Sequence, residues 1–407
     1  MIRFLKAATR VVRQELASGE SGWVSLSSSE AISSSGVTSA AGKIVSEKAA
    51  LNVSAVWACV SKTAQIVSTL PLDLFEKQAD GSRVKIENDL SQMVKLSPNT
   101  IQTGVEHWEG QEAKKLLSGN AYSEKILLGK RLVGLRPLHN VKPVRISTGF
   151  KYRVTEDGRQ YDLPAEKVLH MRGFGAGDGL GLSAVSYGAN SMGLALAADE
   201  TAGAVFANGL MASGILKADQ SLTEPQRAKL QEMLEAYTGS KKAGKVMALP
   251  GVLEFQQLQF NPEDIQMLET RRFSVEDVCR WFGTPPIVIG HASEGQTMWG
   301  SGVESIMLSW LTTGINPLLC RNEARFNRDL IPIEKRRRWY FEYNREAMLQ
   351  MDSVAKGEFL SKMRTSGIMS ADEARTKINL PKRGGAADQL IAQTALAPLE
   401  KLMTGEK

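Results

Sequence analysis

A glycine-rich loop is the first stretch of this sequence that could carry chemistry. In KVLHMRGFGAGDGLGLSAVS, residues 167–186, an apolar run leads into alternating glycines and then into an alanine-rich helix. A strand, a glycine loop and a helix in this order are typical of phosphate-binding sites. The fingerprint G-x-G-x-x-G fails in every register, because Asp178, Leu180 or Leu182 stands where the third glycine is required. No Lys-Ser or Lys-Thr follows the glycines, so the pattern favours a flexible joint between a sheet and a long helix.

Other catalytic and metal-binding patterns are missing from the sequence. It contains no G-x-S-x-G nucleophile elbow, no H-E-x-x-H zinc motif and no EF-hand loop. The four histidines show no metal-ligand spacing. The acidic pairs Glu263–Asp264 and Asp372–Glu373 stand at predicted helix N-termini, where the helix dipole accounts for them. We therefore predict no catalytic residue, no metal and no cofactor, and a protein that is not an enzyme.

The strongest basic cluster is Lys335, Arg336, Arg337 and Arg338. Such a cluster could contact the phosphates of DNA, because each neutralised phosphate releases counterions. We assign these residues to a strand, in which side chains alternate between two faces. Half of the cluster could then turn inward and pair with acidic residues instead of contacting DNA.

Composition and charge restrict the class of protein. The chain has 407 residues, with 50 Lys and Arg against 44 Asp and Glu, a net charge of +6. Charges of both signs are interspersed, which permits contact with nucleic acid without requiring it. No apolar run approaches about 20 residues, the length of a bilayer span, so we predict no membrane partner. The three cysteines are predicted to be buried, reduced thiols of a protein made in the cytoplasm: Cys59, Cys279 and Cys320.

The apolar periodicity divides the first half of the chain. Residues 1–50 predict a flexible arm, since they are rich in Ser, Gly and Ala over most of their length. A helix begins at Ser54 and stops before Pro71, the strand LDLFEK follows, and a second helix spans about 103–118. Short β-like runs punctuated by turn residues extend from Tyr122 to Met171. The pattern predicts an α+β domain with a small, mostly antiparallel sheet.

The second half contains long helices around a small insert. Ser183 is predicted to start a helix of about 26 residues, whose many small side chains let another helix approach closely. In the β-α-β-β insert that follows, GILKA is a strand and KVMALPG pairs with LEFQQLQ. A second long helix is expected at 262–283, and a third at 303–330, bent near Gly314 and Pro317.

The C-terminal part has three predicted elements. A strand at 338–343 carries aromatic residues at alternate positions, and a helix follows at about 345–365. The sequence Ser370-Ala-Asp-Glu373 is a capping box that opens a further short helix.

In this order the elements resemble those of the portal proteins of tailed double-stranded-DNA bacteriophages, most closely the compact portals of lambda-like long-tailed phages. The resemblance covers about 50–381. A helix ending in Phe-Gly-x-Pro-Pro is its most specific feature, because family members repeat it. The segments that carry the resemblance are NVSAVWACVSKTAQIVSTLPLDLF (52–75), FANGLMASGIL (206–216), NPEDIQMLETRRFSVEDVCRWFGTPPIVIG (261–290) and GIMSADEARTKINLP (367–381).

The resemblance implies an α+β portal fold with wing, stem, clip, tunnel loop and crown, assembled into a ring. The segments it implies are a flexible N-terminal arm at 1–50, the first part of the wing at 51–182, a stem helix at 183–209, the clip at 210–261, a stem helix at 262–283, the tunnel loop region at 284–302, the rest of the wing at 303–344, the crown helices at 345–381 and a C-terminal tail at 382–407.

The resemblance also implies site residues. Stem packing is expected at Gly188, Ala195 and Ala202. The narrowest part of the DNA channel is expected at Gln296, Thr297, Met298 and Trp299. Contacts of the clip with the terminase or the adaptor are expected at Lys241, Lys242 and Glu254.

Function and partners follow from the same resemblance. Family members form a dodecameric ring at the unique capsid vertex, and the ring is the channel for DNA packaging and ejection. The expected partners are other copies of the chain, the major capsid protein, the large terminase subunit, a head-completion or adaptor protein, and the double-stranded DNA in the channel. The expected location is the virion, after assembly in the host cytoplasm.

Two interpretations based on the residues alone stand beside the resemblance. One is a nucleotide-dependent DNA-processing enzyme that uses the loop Gly173–Gly181 to hold phosphates. The other is a non-enzymatic DNA-binding protein that uses residues 335–338. A portal differs from both, because a separate ATPase drives the DNA and the channel must hold DNA without gripping it.

Overall fold

The computed structural model describes residues 36–147, 149–207, 214–218, 225, 253–257, 274–291, 301–345, 353–378 and 380–391. The chain divides into two compact units. The first comprises Met1–Thr69 and Leu74–Phe341, and the second comprises Leu70–Asp73 and Glu342–Lys407.

Helices and strands alternate irregularly along the chain. The described helices are α1 Glu47–Ala50, α2 Ser54–Thr69, α3 Asp89–Lys95, α4 Gly104–Ser118, α5 Ala184–Tyr187, α6 Ala189–Ala207, α7 274–282, α8 Ser301–Trp310, α9 Asn316–Asp329, α10 Ser353–Thr365 and α11 Ala371–Lys377. The described strands are β1 Val37–Thr38, β2 Ile44–Val45, β3 Leu72–Lys77, β4 Arg83–Ile86, β5 Asn120–Leu128, β6 Arg131–Leu138, β7 Val141–Ile146, β8 Gly149–Glu156, β9 Arg159–Pro164, β10 Val168–Arg172, β11 Gly214–Ala218, β12 Leu253–Gln257 and β13 Trp339–Tyr343.

Small sheets replace the single sheet that alternation predicts. Strand β5 lies between β10 and β6, and Tyr122 is paired with His170 on one side and Leu138 on the other. Strand β8 lies between β7 and β9, and all of these pairings are antiparallel. A third sheet has the order β13-β3-β4. The predicted α+β class with antiparallel pairing is confirmed, whereas β1, β2, α1, β4, β9 and α3 were not predicted. The first three lie within residues 36–50, where the sequence predicted a flexible arm, and Val45 and Ala50 are buried in an apolar cluster.

Side chains and glycines fix the helix ends. At the start of α4, Thr103 Oγ1 accepts from the Glu106 N–H while the Glu106 carboxylate accepts from the Thr103 N–H, a capping box. The helix ends at Gly119, whose φ of 79° suits glycine and few other residues. The predicted helix at 103–118 is therefore confirmed to within one residue.

Two apolar clusters hold the first unit together. The larger joins α2, α4, α5, α6 and α7, and its members Val56, Met192 and Val278 have no exposed surface. The smaller includes Tyr122 of β5 and Tyr152 of β8, whose ring centroids lie 5.6 Å apart. Since each fully buried side chain of this size contributes about 1.5–3 kcal/mol, these clusters fix how the helices meet the sheets.

The predicted 26-residue helix is interrupted. Ser183 is its N-cap, as predicted, because its Oγ accepts from the Ser186 N–H at 3.1 Å. The first helix, α5, ends at Gly188, and α6 begins with the next residue. A Cβ at Gly188 would lie 3.1 Å from the Trp281 ring, so glycine lets the indole of α7 pack against this point of the chain.

The predicted bend near Gly314 and Pro317 is a π-helix. Residues Leu311–Ile315 form this wider turn between α8 and α9, and Pro317 stands in the first turn of α9. A Cβ at Gly314 would lie 2.7 Å from the Trp310 ring, so the small residue accommodates the indole. Proline and a π-turn together account for the distortion, in the place where the sequence predicts it.

The insert between α6 and α7 is described only in part. GILKA forms strand β11, as predicted, and it pairs antiparallel with β12, the LEFQQ segment. The predicted partner of LEFQQ, KVMALPG, lies outside the described residues, so that pairing stays a prediction, and the pairing of β12 with β11 was not predicted. Strands β11 and β12 lie near opposite ends of the insert, and local sequence patterns do not show that two such distant segments pair.

The second unit contains the short helices of the C-terminal part. The predicted capping box is present, because Ser370 Oγ accepts from the Glu373 N–H and the Glu373 carboxylate accepts from the Ser370 N–H. The Asp372 carboxylate accepts from the backbone N–H groups of Arg383 and Gly384 at 2.8 and 2.6 Å. These hydrogen bonds lower the pKa of Asp372 and tie residues 383–384 to α11.

Candidate functional site

The glycine loop packs against the end of α4 and the start of β5. The Gly173 N–H donates to the Gly119 carbonyl at 2.7 Å. The Asn120 Nδ2 donates to the Gly181 carbonyl at 2.8 Å, and the Asn120 Oδ1 accepts from the Gly181 N–H at 2.9 Å. A Cβ at Gly181 would lie 1.9 Å from the Gly119 carbonyl oxygen. The glycines are needed here because two backbone segments approach too closely for any side chain.

This geometry corrects the predicted role of the loop. The pattern suggested a flexible joint, but the two ends of the loop are hydrogen-bonded to the protein. It also weakens the phosphate-loop alternative, because phosphate cradles need free amides. Four loop N–H groups already donate to protein acceptors: Gly173 to Gly119, Leu180 to Asp178, Gly181 to Asn120 and Leu182 to Phe174.

His170 of β10 is hydrogen-bonded to Asn120, the residue that holds the glycine loop. Its Nε2 lies 2.8 Å from the Asn120 Oδ1, which can only accept, so this nitrogen carries the proton. The Nδ1 then accepts from the Tyr152 hydroxyl at 3.0 Å and the Arg172 Nε at 3.2 Å. Burial, with the positive charges of Arg172 and Arg325, holds the pKa of His170 well below its usual value. The neutral imidazole positions the side-chain amide and is not poised as a catalytic base.

The helix face after the loop carries the predicted stem-packing residues. Gly188 is buried under Trp281, Ala195 is buried in the larger apolar cluster, and Ala202 is half-buried. The Trp281 Nε1 donates to the Ser191 Oγ at 3.1 Å, which holds the indole flat against the helix. Two of the three residues therefore pack inside the first unit itself.

An exposed apolar surface lies on the same helices. Three large apolar side chains of α5, α6 and α7 remain substantially exposed: Tyr187 at 42%, Leu194 at 44% and Trp281 at 42%. Exposed apolar groups on adjacent helices mark surfaces that another protein covers. We call this group the helix face.

Two pairs of polar side chains join α2 to α7 and to the residues that follow α7. The Cys59 and Cys279 sulfurs lie 3.8 Å apart and both thiols are free and buried. The hydrogen bond between them and burial raise the pKa of the Cys59 thiol. The hydroxyls of Thr63 and Thr284 lie 3.3 Å apart one turn further along. The predicted burial is confirmed for these two cysteines but is wrong for Cys320, which is exposed on α9.

The basic cluster lies in a turn before β13, not in a strand. All four side chains are exposed, so the prediction that half of them turn inward is wrong. The Arg338 guanidinium lies 3.2 Å from the Glu76 carboxylate, and Lys335 stacks 5.2 Å above the Trp339 ring centroid. Lys335, Arg336, Arg337 and Arg338 thus form one solvated positive surface.

The other predicted site residues are mostly outside the described part of the chain. These are Gln296, Thr297, Met298 and Trp299 of the tunnel loop, and Lys241 and Lys242 of the clip. Glu254 is described in β12, where it is paired with Lys217 of β11.

One buried charged group was not predicted. Lys115 of α4 lies 2.7 Å from both the Glu112 carboxylate and the Asn322 Oδ1 of α9, and all three side chains are nearly inaccessible. Burial lowers the pKa of Lys115, although the Glu112 carboxylate opposes the shift. The i, i+3 spacing of Glu112 and Lys115 resembles that of a surface ion pair, so nothing in the sequence signals their burial.

Within the described ranges, no three His, Cys, Asp or Glu side chains come close enough together to hold a metal ion. None of the helices in those ranges is both long and apolar enough to span a membrane.

Comparison with known proteins identifies the family. A family model described as phage portal protein matches residues 54–379. The portal protein of Enterobacteria phage HK97 is 30% identical over 370 residues, which cover 89% of this chain and 87% of that protein. The chain therefore belongs to the phage portal protein family.

Solved structures agree with this fold. The crystal structure of an HK97 family phage portal protein from Corynebacterium diphtheriae has a TM-score of 0.54 at 16% identity, covering 76% of this chain and 99% of that one. A chain in the neck of a native gene transfer agent particle, computed with C12 symmetry, also has a TM-score of 0.54, at 22% identity. That match covers 81% of this chain and 90% of the neck chain. The α+β fold predicted from the element order is the portal fold.

Proposed function

We propose that this chain forms a dodecameric ring at the unique vertex of a phage capsid, and that double-stranded DNA passes through the ring during packaging and ejection. Membership of the portal family carries the proposal. The C12 symmetry used for the neck of the gene transfer agent particle supports a ring of the same order for this chain.

The helix face is the surface we assign to contact between neighbouring copies. Tyr187, Leu194 and Trp281 would lose their exposure against the next copy, and each would add apolar burial to the interface. The small residues of α6, among them Ala202, allow the neighbour's helices to approach closely. In a ring every copy uses the same pair of surfaces, so a single patch of this kind is repeated around the axis.

The remaining segments keep the roles that the resemblance implies. We assign the wing to 51–182 and 303–344, the stem to 183–209 and 262–283, the clip to 210–261, the tunnel loop to 284–302 and the crown to 345–381. The clip, with Lys241, Lys242 and Glu254, would dock the large terminase subunit and later an adaptor protein, while the wing would contact the major capsid protein.

The engaged amides of the glycine loop support a structural role for this chain. Four of the loop N–H groups, at its two ends, already have protein acceptors, which favours a structural role for the loop, and we assign ATP binding and hydrolysis to the terminase. The net charge of +6, with both signs interspersed, suits a conduit that DNA slides through.

Phosphate contact by Lys335, Arg336, Arg337 and Arg338 is a second element of the proposal. All four side chains are exposed, as such contact requires. Duplex binding by the purified chain should weaken steeply as salt rises if the cluster holds phosphates. Arg337→Glu should reduce that salt dependence.

Electron microscopy of the purified full-length chain tests the ring. Negative-stain images should show rings with a central hole, and Leu194→Asp on the helix face should shift the population toward smaller species. Leu96→Asp is the matched control, because Leu96, the residue that follows α3, is a more exposed leucine and should leave the rings intact. A wild-type chain that stays monomeric at high concentration would overturn the proposal.

The tunnel loop has its own test. Trp299→Ala should leave the rings intact and impair DNA packaging or retention in assembled particles. Failure of this variant to form rings would show that residue 299 belongs to a contact between copies and not to the channel lining.

A further inference from the structure

A pocket of about 360 Å³ lies between the tip of the β5–β6 hairpin and the turn that precedes β13. Its wall includes Leu127 and Lys130 from the hairpin, and Ile333, Arg336 and Trp339 from the turn and β13. We call it the hairpin pocket. Its volume falls in the range of pockets that bind a ligand or a short piece of chain.

The pocket exposes branched apolar side chains. Leu127 is 45% exposed and Ile333 is 74% exposed, while Leu330 and Ile331 beside them are buried. Apolar side chains exposed together in a concave place lose contact with water when a partner binds, which favours association.

Two cations of the pocket are available to a partner. Lys130 and Arg336 make no ion pair with any residue that the structure describes. The Arg336 Nε donates to the Ile331 carbonyl at 2.9 Å, which fixes the side chain and leaves its terminal N–H groups for another acceptor.

Two of the three acidic groups that line the pocket already have positive partners, and the third, Glu166, is outnumbered by lining cations that form no ion pair with a described residue: Lys125, Lys130 and Arg336. The Asp89 carboxylate forms an ion pair with Arg131, and the Asp329 carboxylate lies 3.3 Å from the Arg325 guanidinium. The cationic character of Lys130 and Arg336 is therefore not cancelled within the pocket.

Trp339 forms a fixed part of the pocket wall. Lys335 covers one face of the ring at 5.2 Å from the centroid, so the indole is held in place.

We propose that the hairpin pocket binds a segment of a partner protein that carries a branched apolar side chain next to a carboxylate. The apolar side chain would cover Leu127 and Ile333, and the carboxylate would pair with Lys130 and Arg336. Duplex DNA fits the pocket less well, because it offers no branched apolar group to cover Leu127 and Ile333. The proposal does not depend on ring formation.

Selection from a random-peptide display library against the full-length chain tests this inference. Peptides that combine Asp or Glu with Leu, Ile or Val should be enriched. A fluorescent peptide from the enriched pool should bind Lys130→Glu about tenfold more weakly, because a charge-assisted hydrogen bond is lost and repulsion replaces it. Ile333→Ser, which removes the most exposed branched side chain of the pocket, should weaken binding about fivefold. Arg159→Glu is the matched control, since Arg159 is an exposed cation beside another hairpin turn.

Three outcomes would overturn the inference. The first is enrichment without acidic residues, and the second is an equal loss of binding in Arg159→Glu and Lys130→Glu. The third is displacement of the peptide by a short duplex DNA that persists in Arg337→Glu, a substitution outside the pocket that weakens phosphate contact by the basic cluster; it would make the pocket itself a nucleic-acid surface. Negative-stain images of each variant show whether it still forms rings. A variant that forms rings but keeps its peptide affinity contradicts this proposal alone, whereas a wild-type chain without rings contradicts the portal assignment.

Discussion

The side-chain amide of Asn120 pairs with the backbone of Gly181 through two hydrogen bonds, as a strand would. Its Nδ2 donates to the Gly181 carbonyl at 2.8 Å and its Oδ1 accepts from the Gly181 N–H at 2.9 Å. The partners are 61 residues apart in sequence. This pairing connects the start of strand β5 to the end of the glycine loop, three residues before α5 begins.

Asn120→Ala should destabilise the protein by about 2–4 kcal/mol, because it leaves the Gly181 N–H and carbonyl and the His170 Nε2 without partners. Urea unfolding monitored by circular dichroism measures the change. Asn140→Ala is the control, since Asn140 is exposed in the connection between β6 and β7 and should change stability by less than about 0.5 kcal/mol. Equal effects of the two substitutions would mean that the Asn120 amide does not hold the loop.

Gly181→Ala should be more damaging still. Its Cβ would lie 1.9 Å from the Gly119 carbonyl oxygen, so one of two tightly packed backbone segments must move, and we expect a loss of more than about 3 kcal/mol. Gly110→Ala provides the contrast, because nothing lies within 4 Å of that Cβ in the middle of α4. It should stabilise the protein by about 0.5–1 kcal/mol. A Gly181→Ala protein with the stability of the wild type would refute the close approach.

Stability should fall as the pH falls from about 6.5 toward 4. Burial lowers the pKa of His107 from 6.5 to about 4, and the pKa of His170 shifts in the same direction. The unfolded chain then binds more protons than the folded one in this window, so the stability is complete above the unfolded pKa and decreases at lower pH. Each histidine contributes a slope of about 1.4 kcal/mol per pH unit within its window.

Unfolding in urea at a series of pH values checks this expectation. His107→Gln should flatten the slope, whereas His139→Gln, at an exposed position, should leave it unchanged. A slope that survives the His107 substitution in full would assign the pH dependence to other groups.

The three thiols should react at different rates. Cys320 is exposed, whereas Cys59 and Cys279 are buried against each other, so N-ethylmaleimide should modify Cys320 first in the native protein. Peptide mass spectrometry after a short exposure identifies the modified residue. The two buried thiols should become accessible only in denaturant, and early labelling of Cys279 would show that α7 does not pack on α2 as described.

Local signals in the sequence predicted where helices and strands begin and end more accurately than they predicted which elements contact each other. The capping box at Ser370–Glu373, the N-cap at Ser183 and the distortion near Gly314 depend on neighbouring residues, and all three are confirmed. The interruption at Gly188 was missed because its cause is Trp281, a residue of another helix.

The candidate contact surfaces could be found only from the three-dimensional structure. Tyr187, Leu194 and Trp281 look like ordinary core residues in the sequence, and only their exposure in the structure makes them candidates for contact between copies. The cluster 335–338 was found from its composition, but its conformation was predicted wrongly because the strand begins one residue later, at Trp339. The hairpin pocket combines residues from two distant segments and has no signal in the sequence.

The π-helix at Leu311–Ile315 determines which side of α9 is buried. A π-turn is equivalent to one residue added to an α-helix, and one residue corresponds to a rotation of about 100°. Removing a residue from this turn would therefore rotate α9 about its own axis, carry Asn322 away from Lys115 and Glu112, and bring another side chain into the space between α4 and α9. The length of this one turn therefore determines which face of α9 points toward α4, and so whether Asn322 reaches Lys115 and Glu112.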